Sequence, residues 1–549
     1  MKRLLRFPFH SLLIGAYFIA HLYARNIAYI PFQETYRSIA VCLGFSFLLL
    51  SGFRLILKEW DRAGLVCSLI VVLFFSFGHV ANALTEWTTG SHPPFRVSVL
   101  GWVWLSAFLI LSLMGVRAKW ANVATGPLNL MSVMLMVFPL MTIVPTAFWR
   151  SSPSEGDIQT LASLRGETSA EAGVPLEPRP EWPDIYYIVF DGYERADVLK
   201  ELYGYDNSEF IEALRSRGFY VADFSRSNYL STNYSLSTSL NLVYFQDFPP
   251  RILRNARYDL RTNYVTDFLR KRGYQIVVFD SGTGNTTTQY YDEFVAPPRS
   301  PSAQGSVVNP FERLLVQTTL GLLLTKGSGE SAGPALQNHA IAAAVNQELE
   351  TRRERVRHAL ARLPDSSTLP GPYFLFAHIY LPHIPFLYGP EGEPLQFSGD
   401  MNFYWYEVEQ EDYPQNYVYQ IEYLNRSVLQ TIDRIHDSSE KPVVIILQSD
   451  HGDELMLDWD NPTALGVGAR SAILNAIYYS DGSYDELYPT LTPVNTFRAV
   501  FNHWFGTGYP WLQDKVFFHE HPLSTSYSSQ PEFFDSCALV SLCLPNHAE

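Results

Sequence analysis

The chain has 549 residues, which is more than one ordinary domain holds and leads us to expect two or three domains. Charged residues make up only 17% of the chain and hydrophobic residues 47%, and this balance indicates that part of it lies in lipid. The formal net charge of −15 argues against nucleic acid as a partner, because no basic stripe is available to neutralise phosphates.

The first part of the chain contains five apolar runs, each about 20 residues long, the length that a helix needs to cross a bilayer core. They are residues 8–24, 37–57, 64–84, 97–116 and 128–148. Buried helices of a soluble core are the alternative, but five such runs in succession favour membrane spans. Since the first run leads directly into the others, a cleaved signal peptide is not expected.

The loops between these runs predict the orientation in the membrane. The N-terminus and the loops on its side carry eight Lys and Arg residues, against four on the opposite side. The excess of positive charge places the N-terminus in the cytoplasm. Residues 1–150 are therefore expected to form a five-helix domain of the cytoplasmic membrane, with everything after Arg150 on its outer side.

Residues 151–183 are rich in Ser, Glu, Gly and Pro and are predicted to be a linker. From Asp184 onwards, apolar β-rich runs alternate with helix-like stretches. The β-rich runs are 184–190, 275–279, 373–381, 442–448 and 473–480, and the helical stretches are 207–217, 259–272, 338–362 and 416–436. This alternation predicts an α/β domain whose central sheet is mixed, mostly parallel and covered by helices.

The domain is expected to occupy residues 184–525, with an insertion or surface excursion at 299–336 and a C-terminal tail at 526–549. The tail contains Cys537 and Cys543, which an exported compartment would allow to form a disulfide. Two free thiols are the alternative.

Acids and imidazoles lie at the ends of three predicted strands. Asp191 follows the first predicted strand, 184–190. Asp450 and His451 come after the strand PVVIILQ, residues 442–448. His383 follows the strand 373–381, which contains His378. In open α/β sheets ligands bind beyond the carboxyl ends of strands, and two carboxylates with an imidazole suit a divalent cation. Asp-Gly turns and helix caps would explain each residue singly, but their joint placement favours a site.

The stretch RSNYLSTNYSLSTSLN, residues 226–241, predicts a helix that begins at or just after Thr232. A hydroxyl at this helix N-terminus would lie where backbone N–H groups and the helix dipole favour a phosphate. A metal could also lower the pKa of the hydroxyl and make it nucleophilic. Spacing alone leaves Ser231, Thr232 and Ser235 as alternatives.

Together, the spans, the linker and the motifs YYIVFDGY, SNYLSTNYSLSTSLN, HIYLPHIPF and ILQSDHG resemble the membrane-anchored branch of the alkaline phosphatase/sulfatase superfamily. That branch includes lipoteichoic acid synthases and lipid A phosphoethanolamine transferases. The resemblance covers the architecture of nearly the whole chain and implies an alkaline-phosphatase-like fold for the α/β domain.

The resemblance also implies roles for individual residues. Asp191, Asp450 and His451 match ligands of one divalent cation, which could be Mn²⁺, Zn²⁺ or Mg²⁺. Thr232 matches the nucleophile, which becomes phosphorylated while its oxygen ligates the metal. His383 matches a histidine that contacts the phosphoryl group or the leaving group.

Some positions depart from the family pattern or allow a second interpretation. The synthases usually have Glu where this chain has Asp191. His378 is either a second substrate-binding histidine or a hydrogen-bonded core residue. Sulfate-ester hydrolysis through formylglycine is disfavoured because STNYS lacks the required Pro and Arg. Asp453 and Glu454 after DHG make the predicted site more acidic than a phosphate pocket would prefer.

These observations predict a membrane-anchored, metal-dependent phosphoryl-group transferase or hydrolase that acts on a phosphodiester through a phosphothreonine intermediate. The membrane anchor favours a phospholipid headgroup or an envelope glycan as the substrate. The alternatives are a phosphodiesterase, phosphatase or sulfatase-like hydrolase that uses water as the acceptor, and a catalytically silent envelope scaffold. The sequence leaves the oligomeric state open.

Overall fold

The computed structural model describes fourteen segments of the chain. They are residues 7–27, 32–87, 97–118, 120–148, 155–167, 177–248, 263–282, 291–298, 310–323, 334–365, 371–395, 412–459, 461–519 and 533–535. The chain divides into two compact units, of which the first contains the apolar helices and the second contains the central sheet. Cys537 and Cys543, and with them the predicted disulfide, lie outside the described residues.

The first unit contains five helices that correspond to the five apolar runs. They are α1 His10–Asn26, α2 Tyr36–Leu57, α3 Trp60–Trp87, α4 Val97–Arg117 and α5 Ala121–Phe148. Large apolar side chains of α2, α4 and α5 are widely exposed; Leu55 is 78%, Val123 73% and Trp102 69% exposed. Helices of a soluble core would bury such residues, so these helices belong in a membrane.

The prediction of five spans is not matched by the structure. Among the described residues, four helices are long and apolar enough to cross a membrane, and they are Tyr36–Leu57, Trp60–Ala81, Val99–Arg117 and Ala121–Val144. Helix α1 has 17 residues and is therefore about 26 Å long, less than the ~30 Å of a bilayer core. It also begins with a buried polar contact, in which His10 Nδ1 lies 2.6 Å from Ser68 Oγ.

A later segment of the chain also belongs to the first unit. Helix α11, Pro310–Thr318, buries Phe311 in the same apolar cluster as Ile14 and Phe75. Just beyond it, the backbone N–H of Leu320 donates to the carbonyl of Phe74 at 2.8 Å. The segment that the sequence predicts as an insertion or surface excursion therefore contains a part that packs against membrane helices.

The second unit contains nine further helices and nine strands among the described residues. The helices are α6 Glu155–Arg165, α7 Ala196–Tyr203, α8 Ser208–Ser216, α9 Thr232–Asn241, α10 Tyr264–Arg270, α12 Pro334–Arg362 (whose first turns belong to the first unit), α13 Tyr413–Ser438, α14 Ala464–Ser471 and α15 Pro493–Phe505. The strands are β1 Asp184–Asp191, β2 Tyr220–Val221, β3 Gln275–Phe279, β4 Glu293–Val295, β5 Tyr373–Pro382, β6 Val443–Ser449, β7 Asn475–Tyr479, β8 Phe517–His519 and β9 Phe533–Asp535.

Seven strands form one sheet in the order β2-β7-β6-β1-β5-β3-β4. The pairs β6-β1, β1-β5, β5-β3 and β3-β4 are parallel, whereas β7 is antiparallel to both β6 and β2. The expected mixed, mostly parallel sheet is thus confirmed, with β1 at its centre. All eight residues of β1 are buried, which explains why its sequence is apolar without alternation.

Helices cover the sheet, as the alternating pattern predicts. The apolar residues of α9, α10 and α15 join the main core with Val189 of β1, whereas α13 packs along β5. Helix α6 lies in the predicted linker and is held by Arg498, whose Nη1 donates to the carbonyl of Arg165 at 2.9 Å. The sheet therefore presents its strand ends from a rigid, buried support.

Candidate metal centre

Two central strands bring the predicted ligands to one edge of the sheet. Strand β1 ends at Asp191, and β6 ends at Ser449, immediately before Asp450 and His451. Since β1 pairs in parallel with β6, the carboxyl ends of the two strands are neighbours. These residues therefore lie where ligands of open α/β sheets are expected.

The structure brings together the three residues predicted as cation ligands. Asp191, Asp450 and His451 each offer a ligand atom, and these atoms lie within 4.8 Å of one another. His451 Nε2 is 3.4 Å from Asp450 Oδ2 and 3.8 Å from Asp191 Oδ1. All three side chains are buried, so water screens the two carboxylates poorly.

Glycines at two positions shape the backbone around this cluster. Gly192 has φ +79°, and its N–H donates to Asp450 Oδ1 at 3.2 Å. The N–H of His451 donates to the same oxygen at 2.9 Å. A Cβ on Gly452 would lie 2.9 Å from the carbonyl oxygen of Ala469. The glycines of DG and DHG thus allow a turn and a close approach that other residues would strain.

The tautomer of His451 follows from its second ring nitrogen. His451 Nδ1 lies 2.8 Å from the carbonyl oxygen of Gly452, which can only accept a hydrogen bond. Nδ1 therefore carries the hydrogen, and the Nε2 lone pair is directed towards the two carboxylates. This is the usual arrangement of an imidazole that ligates a metal.

Burial shifts the protonation of the cluster. It raises the pKa of Asp450, and the neighbouring Asp191 carboxylate raises it further. Burial also raises the pKa of Asp191, against the opposing charges of Arg470 and Arg352. It lowers the pKa of His451, which therefore stays neutral. Two adjacent carboxyl groups of this kind retain a proton near neutral pH, and a divalent cation would replace that proton.

The residues present fit a divalent cation. Asp191 Oδ1 and Asp450 Oδ2 are buried atoms without a hydrogen-bond partner in the described part of the chain, a costly state for a carboxylate oxygen. The site offers two carboxylates, an imidazole lone pair and an adjacent hydroxyl as ligands. Zn²⁺ and Mn²⁺ bind both nitrogen and oxygen ligands, whereas Mg²⁺ prefers oxygen.

That hydroxyl belongs to Thr232. Helix α9 begins at Thr232, as the sequence predicts, and Thr232 Oγ1 lies 3.2 Å from His451 Nε2. The same hydroxyl favours the ionised form of Asp450 and so opposes the rise in the pKa of that carboxyl. Thr232 is half-buried, whereas Ser235 is buried one turn further along the helix and Ser231 is the N-cap residue. Thr232 is thus placed to meet both the cluster and a substrate.

His383 lies at the open side of the cluster. The register between β1 and β5 shifts after Phe190, so that Asp191 pairs with Pro382, the residue before His383. The backbone N–H of His383 donates to the carbonyl of Asp191 at 3.0 Å. His383 Nδ1 donates to the carbonyl of Ile384 at 2.6 Å, which leaves Nε2 as the acceptor of the neutral ring. Its ring centroid is 6.4 Å from that of His451.

His378, by contrast, is buried beside the carboxylates. Its Nε2 lies 3.6 Å from Asp191 Oδ2 and 3.8 Å from Asp450 Oδ2. Burial lowers the pKa of His378 to about 3, so the imidazole is neutral. The structure therefore places His378 on the inner side of the cluster, while the half-buried His383 and Thr232 are on the accessible side.

The acidic residues after DHG have partners of their own. Asp453 accepts hydrogen bonds from the hydroxyls of Tyr203 and Tyr413 at 2.8 and 2.7 Å. Glu454 lies 3.7 Å from the guanidinium of Arg470. These contacts explain how two extra acids are tolerated beside a site that would receive an anion.

The sequence reasoning missed two arginines whose charges act on the site. Arg470 is buried, and its Nε donates to the carbonyl of Leu230 at 2.9 Å. Arg352 lies in α12, with its guanidinium 5.0 Å from the centre of the Tyr380 ring; that ring is in turn 5.0 Å from the His383 ring. Neither arginine belongs to a motif, since the fold brings both from distant positions.

Comparison with solved structures gives several matches, of which three are described here by identity, coverage and TM-score. The periplasmic domain of EcEptC from Escherichia coli is 13% identical with a TM-score of 0.41, and the match covers 65% of this chain and 92% of that one. The lipooligosaccharide phosphoethanolamine transferase EptA from Neisseria meningitidis is 12% identical with a TM-score of 0.35, covering 86% and 88%. The phosphoglycerol transferase GacH from Streptococcus pyogenes is 13% identical with a TM-score of 0.36, covering 65% and 84%.

These solved structures are of phosphoethanolamine and phosphoglycerol transferases, to which the chain is similar at 12 to 13% identity. Phosphoethanolamine transferases are among the enzymes that its sequence motifs resemble. No protein-family model and no curated protein sequence matches the chain. With TM-scores of 0.35 to 0.41, these likenesses carry no weight for the activity, which is inferred below from the chain's own residues.

Proposed function

We propose that the chain is a membrane-anchored, cation-dependent transferase of substituted phosphoryl groups that acts on a phosphodiester. The main support is the position of Thr232 Oγ1, 3.2 Å from His451 Nε2 and beside the Asp191/Asp450 pair. A half-buried hydroxyl next to such a cluster is positioned as a nucleophile is positioned next to the groups that activate it.

Asp191, Asp450 and His451 would hold the cation, with Thr232 at its open side. When bound, a divalent cation offsets negative charge on phosphoryl oxygens and makes a neighbouring hydroxyl more acidic. Asp191 and Asp450 would release their shared proton on binding it. His451 is already neutral and correctly oriented, because Gly452 fixes its tautomer.

The chemistry has two steps that mirror each other. In the first, Thr232 Oγ1 forms a bond to phosphorus, the bond from phosphorus to one alcohol oxygen breaks, and the threonine proton ends on the departing alcohol. In the second, an acceptor hydroxyl attacks the phosphothreonine, and Thr232 regains a proton from that acceptor. A glycan or lipid hydroxyl as acceptor gives transfer, whereas water gives hydrolysis.

His383 is suited to carry the proton between these oxygens. Its Nδ1 donates to the Ile384 carbonyl, so Nε2 is the atom that takes up and returns a proton. The ring is half-buried and therefore reachable by the leaving group. We assign His383 the role of contacting the phosphoryl group or the leaving oxygen.

We also propose that α1 completes a fifth span and that the domain 184–525 lies outside the cytoplasmic membrane, joined through residues 151–183. The excess of Lys and Arg on the N-terminal side supports this orientation, and α1 is apolar although it is shorter than the other four helices. A domain at this location would meet lipids and envelope glycans, and these are the substrates that we propose. Asp485 is exposed and provides a site for a topology label.

Topology is tested with the variant Asp485→Cys in intact cells and a membrane-impermeant maleimide. Labelling before permeabilisation is expected, above the background that the unsubstituted chain's own cysteines give. Labelling of Asp485→Cys only after permeabilisation would place the domain in the cytoplasm and contradict the proposal.

The reaction is tested by intact mass spectrometry of the full chain in detergent, loaded with Mn²⁺ or Zn²⁺ and exposed to a phospholipid or a model phosphodiester. The wild-type chain should gain a phosphoryl adduct located on Thr232. Thr232→Ala should gain none, and Ser235→Ala, which changes a buried hydroxyl of the same helix, should still gain it. Full turnover by Thr232→Ala would exclude Thr232 as the nucleophile, and a product formed only with water would identify a hydrolase.

A further inference from the structure

His378 is a buried histidine whose ring has no hydrogen-bond partner. The residue is 4% exposed, and neither Nδ1 nor Nε2 has a partner among the described residues. An imidazole normally donates from one nitrogen and accepts at the other, so leaving both unmatched in the interior destabilises the fold. His451, at the same edge of the sheet, has its Nδ1 matched by the Gly452 carbonyl. The ring of His378 therefore lacks the hydrogen bonds that a buried imidazole normally makes, and a bound ligand would supply a partner.

The position of its Nε2 indicates the kind of partner. Nε2 is 3.6 Å from Asp191 Oδ2 and 3.8 Å from Asp450 Oδ2. These separations are too long for hydrogen bonds. They resemble the spacing between two ligands of one cation, because bonds of about 2.1 Å at tetrahedral angles separate the ligand atoms by roughly 3.4 Å.

Both imidazoles approach the carboxylate pair, although His378 is not among the three residues whose ligand atoms all lie within 4.8 Å of one another. His451 Nε2 lies 3.8 Å from Asp191 Oδ1 and 3.4 Å from Asp450 Oδ2. His378 Nε2 approaches Asp450 Oδ2 as well, but it approaches the other oxygen of Asp191. The carboxylate pair is thus flanked by two neutral ring nitrogens.

His378 is also one of the residues that line a cavity. This cavity of about 40 Å³ lies at the carboxyl ends of β3 and β5, and His378 lines it together with Asp280, Arg352 and Tyr380. The volume accommodates an ordered water. A metal-bound imidazole normally donates its second N–H to a carboxylate, carbonyl or water, and Nδ1 of His378 is buried without such a partner among the described residues.

We propose that His378 Nε2 is a further ligand of the cation bound by Asp191, Asp450 and His451. This inference rests on the proposed cation-dependent function and extends it to the choice of metal. Two imidazoles and two carboxylates form a donor set for Zn²⁺ or another transition metal, whereas Mg²⁺ prefers oxygen ligands and retained water. Because His378 belongs to the buried strand β5, its ring is held rigidly at that position.

The test measures cation binding to the full chain in detergent. The metal-stripped protein is titrated with Zn²⁺ against a chromophoric chelator, and the visible spectrum of the Co²⁺-loaded protein reports the number and type of ligands. His378→Gln and His378→Ala should bind Zn²⁺ at least about tenfold more weakly. Both should have an altered Co²⁺ spectrum, and the selectivity for Zn²⁺ over Mg²⁺ should fall.

Two controls separate ligation from packing. His383→Ala removes a nearby imidazole that we do not place on the cation, and it should leave the Zn²⁺ affinity within about threefold of wild type. Added imidazole should restore the Co²⁺ spectrum of His378→Ala, since it can enter the space left by the ring; a purely structural histidine would not show this rescue. Thermal unfolding of the metal-free variants shows that they fold.

The outcomes are distinguishable. If folded His378→Gln and His378→Ala bind Zn²⁺ as tightly as wild type, with an unchanged Co²⁺ spectrum, His378 is not a ligand and the inference is wrong. If the wild-type chain itself binds no divalent cation, the proposed function fails with it.

Discussion

The candidate site has two parts that differ in burial and in what holds their side chains. The floor is buried at the strand ends and consists of Asp191, His378, Asp450 and His451. The rim is partly exposed and consists of Thr232, Arg352, Tyr380 and His383. Floor residues lie in buried strands or directly after one and have shifted pKa values, whereas rim residues reach solvent. The difference supports the proposal that the floor holds the cation and that the rim meets the substrate.

Removal of charge from the floor should have the largest effect. Asp450→Asn keeps the shape of the side chain but loses the negative charge that binds the cation, and we expect it to lower both Zn²⁺ affinity and turnover by at least about 1,000-fold. Metal analysis and a phosphodiester assay measure these losses. Asp453→Asn is the matched control, since its carboxylate bonds to Tyr203 and Tyr413 and should affect cation binding much less. Stoichiometric metal in Asp450→Asn would refute the assignment of the floor.

The rim should separate cation binding from chemistry. Thr232→Ala removes the hydroxyl but leaves both carboxylates and His451 in place, so turnover should fall by at least about 1,000-fold while Zn²⁺ affinity changes by about tenfold or less. Thr232→Ser should retain part of the turnover, because it keeps a hydroxyl. Parallel losses of metal and turnover in Thr232→Ala would show that floor and rim cannot be distinguished in this way.

The floor was largely predictable from the sequence. Asp191, Asp450 and His451 follow apolar runs that read as buried strands, and parallel strands must bring their carboxyl ends to one edge. The glycines after Asp191 and His451 also have a local cause, since one adopts φ +79° and the other passes close to Ala469. Burial and turn chemistry are properties of short segments, and short segments can be interpreted without a structure.

The rim and the membrane region were less predictable, because they depend on distant segments. Arg352 and Arg470 belong to helices whose sequences show no sign of the site. The Ser-rich sequence of α9 does not indicate that Ser239 is buried and donates to the carbonyl of Pro493 at 3.1 Å. Likewise, the apolar run 8–24 does not indicate that α1 has only 17 residues or that its first residue packs against Ser68.

Protons should compete with the cation at the floor. Burial raises the pKa of Asp191 to about 7 and that of Asp450, next to Asp191, to about 8. Both carboxyl groups must be ionised to bind a cation, so the Zn²⁺ affinity should fall about 10- to 100-fold per pH unit below this range. Calorimetric titrations at pH 7 in buffers of different ionisation enthalpy should show protons released on binding. Affinity that stays constant from pH 8 to pH 6 would contradict the raised pKa values.

The same shift predicts the stability of the metal-free protein. The folded-state pKa values of the pair are raised above the unfolded value, so the folded chain binds more protons than the unfolded chain between about pH 4 and pH 8. This contribution to stability is present at low pH and is lost as the pH rises through 7 and 8. Metal-free Asp450→Asn should therefore unfold at an increasingly higher temperature than the wild type as the pH is raised. Equal unfolding temperatures across that range would contradict the prediction.

The smallest expected effect concerns the charge that attracts the substrate. With a divalent cation, the two floor carboxylates are neutralised, so an anionic phosphodiester needs another positive group at the rim. Arg352 is partly exposed and bonds through Nε to Glu348, and its charge opposes the rise in the pKa of Asp191, which shows that its field reaches the floor. Arg352→Gln should raise KM about tenfold with little change in kcat or Zn²⁺ affinity. Arg355→Gln, one turn further along α12 and paired with Asp280, is the control and should change KM less. If Arg352→Gln lowers kcat and leaves KM unchanged, the arginine acts on the transition state, and the division between floor and rim must be redrawn.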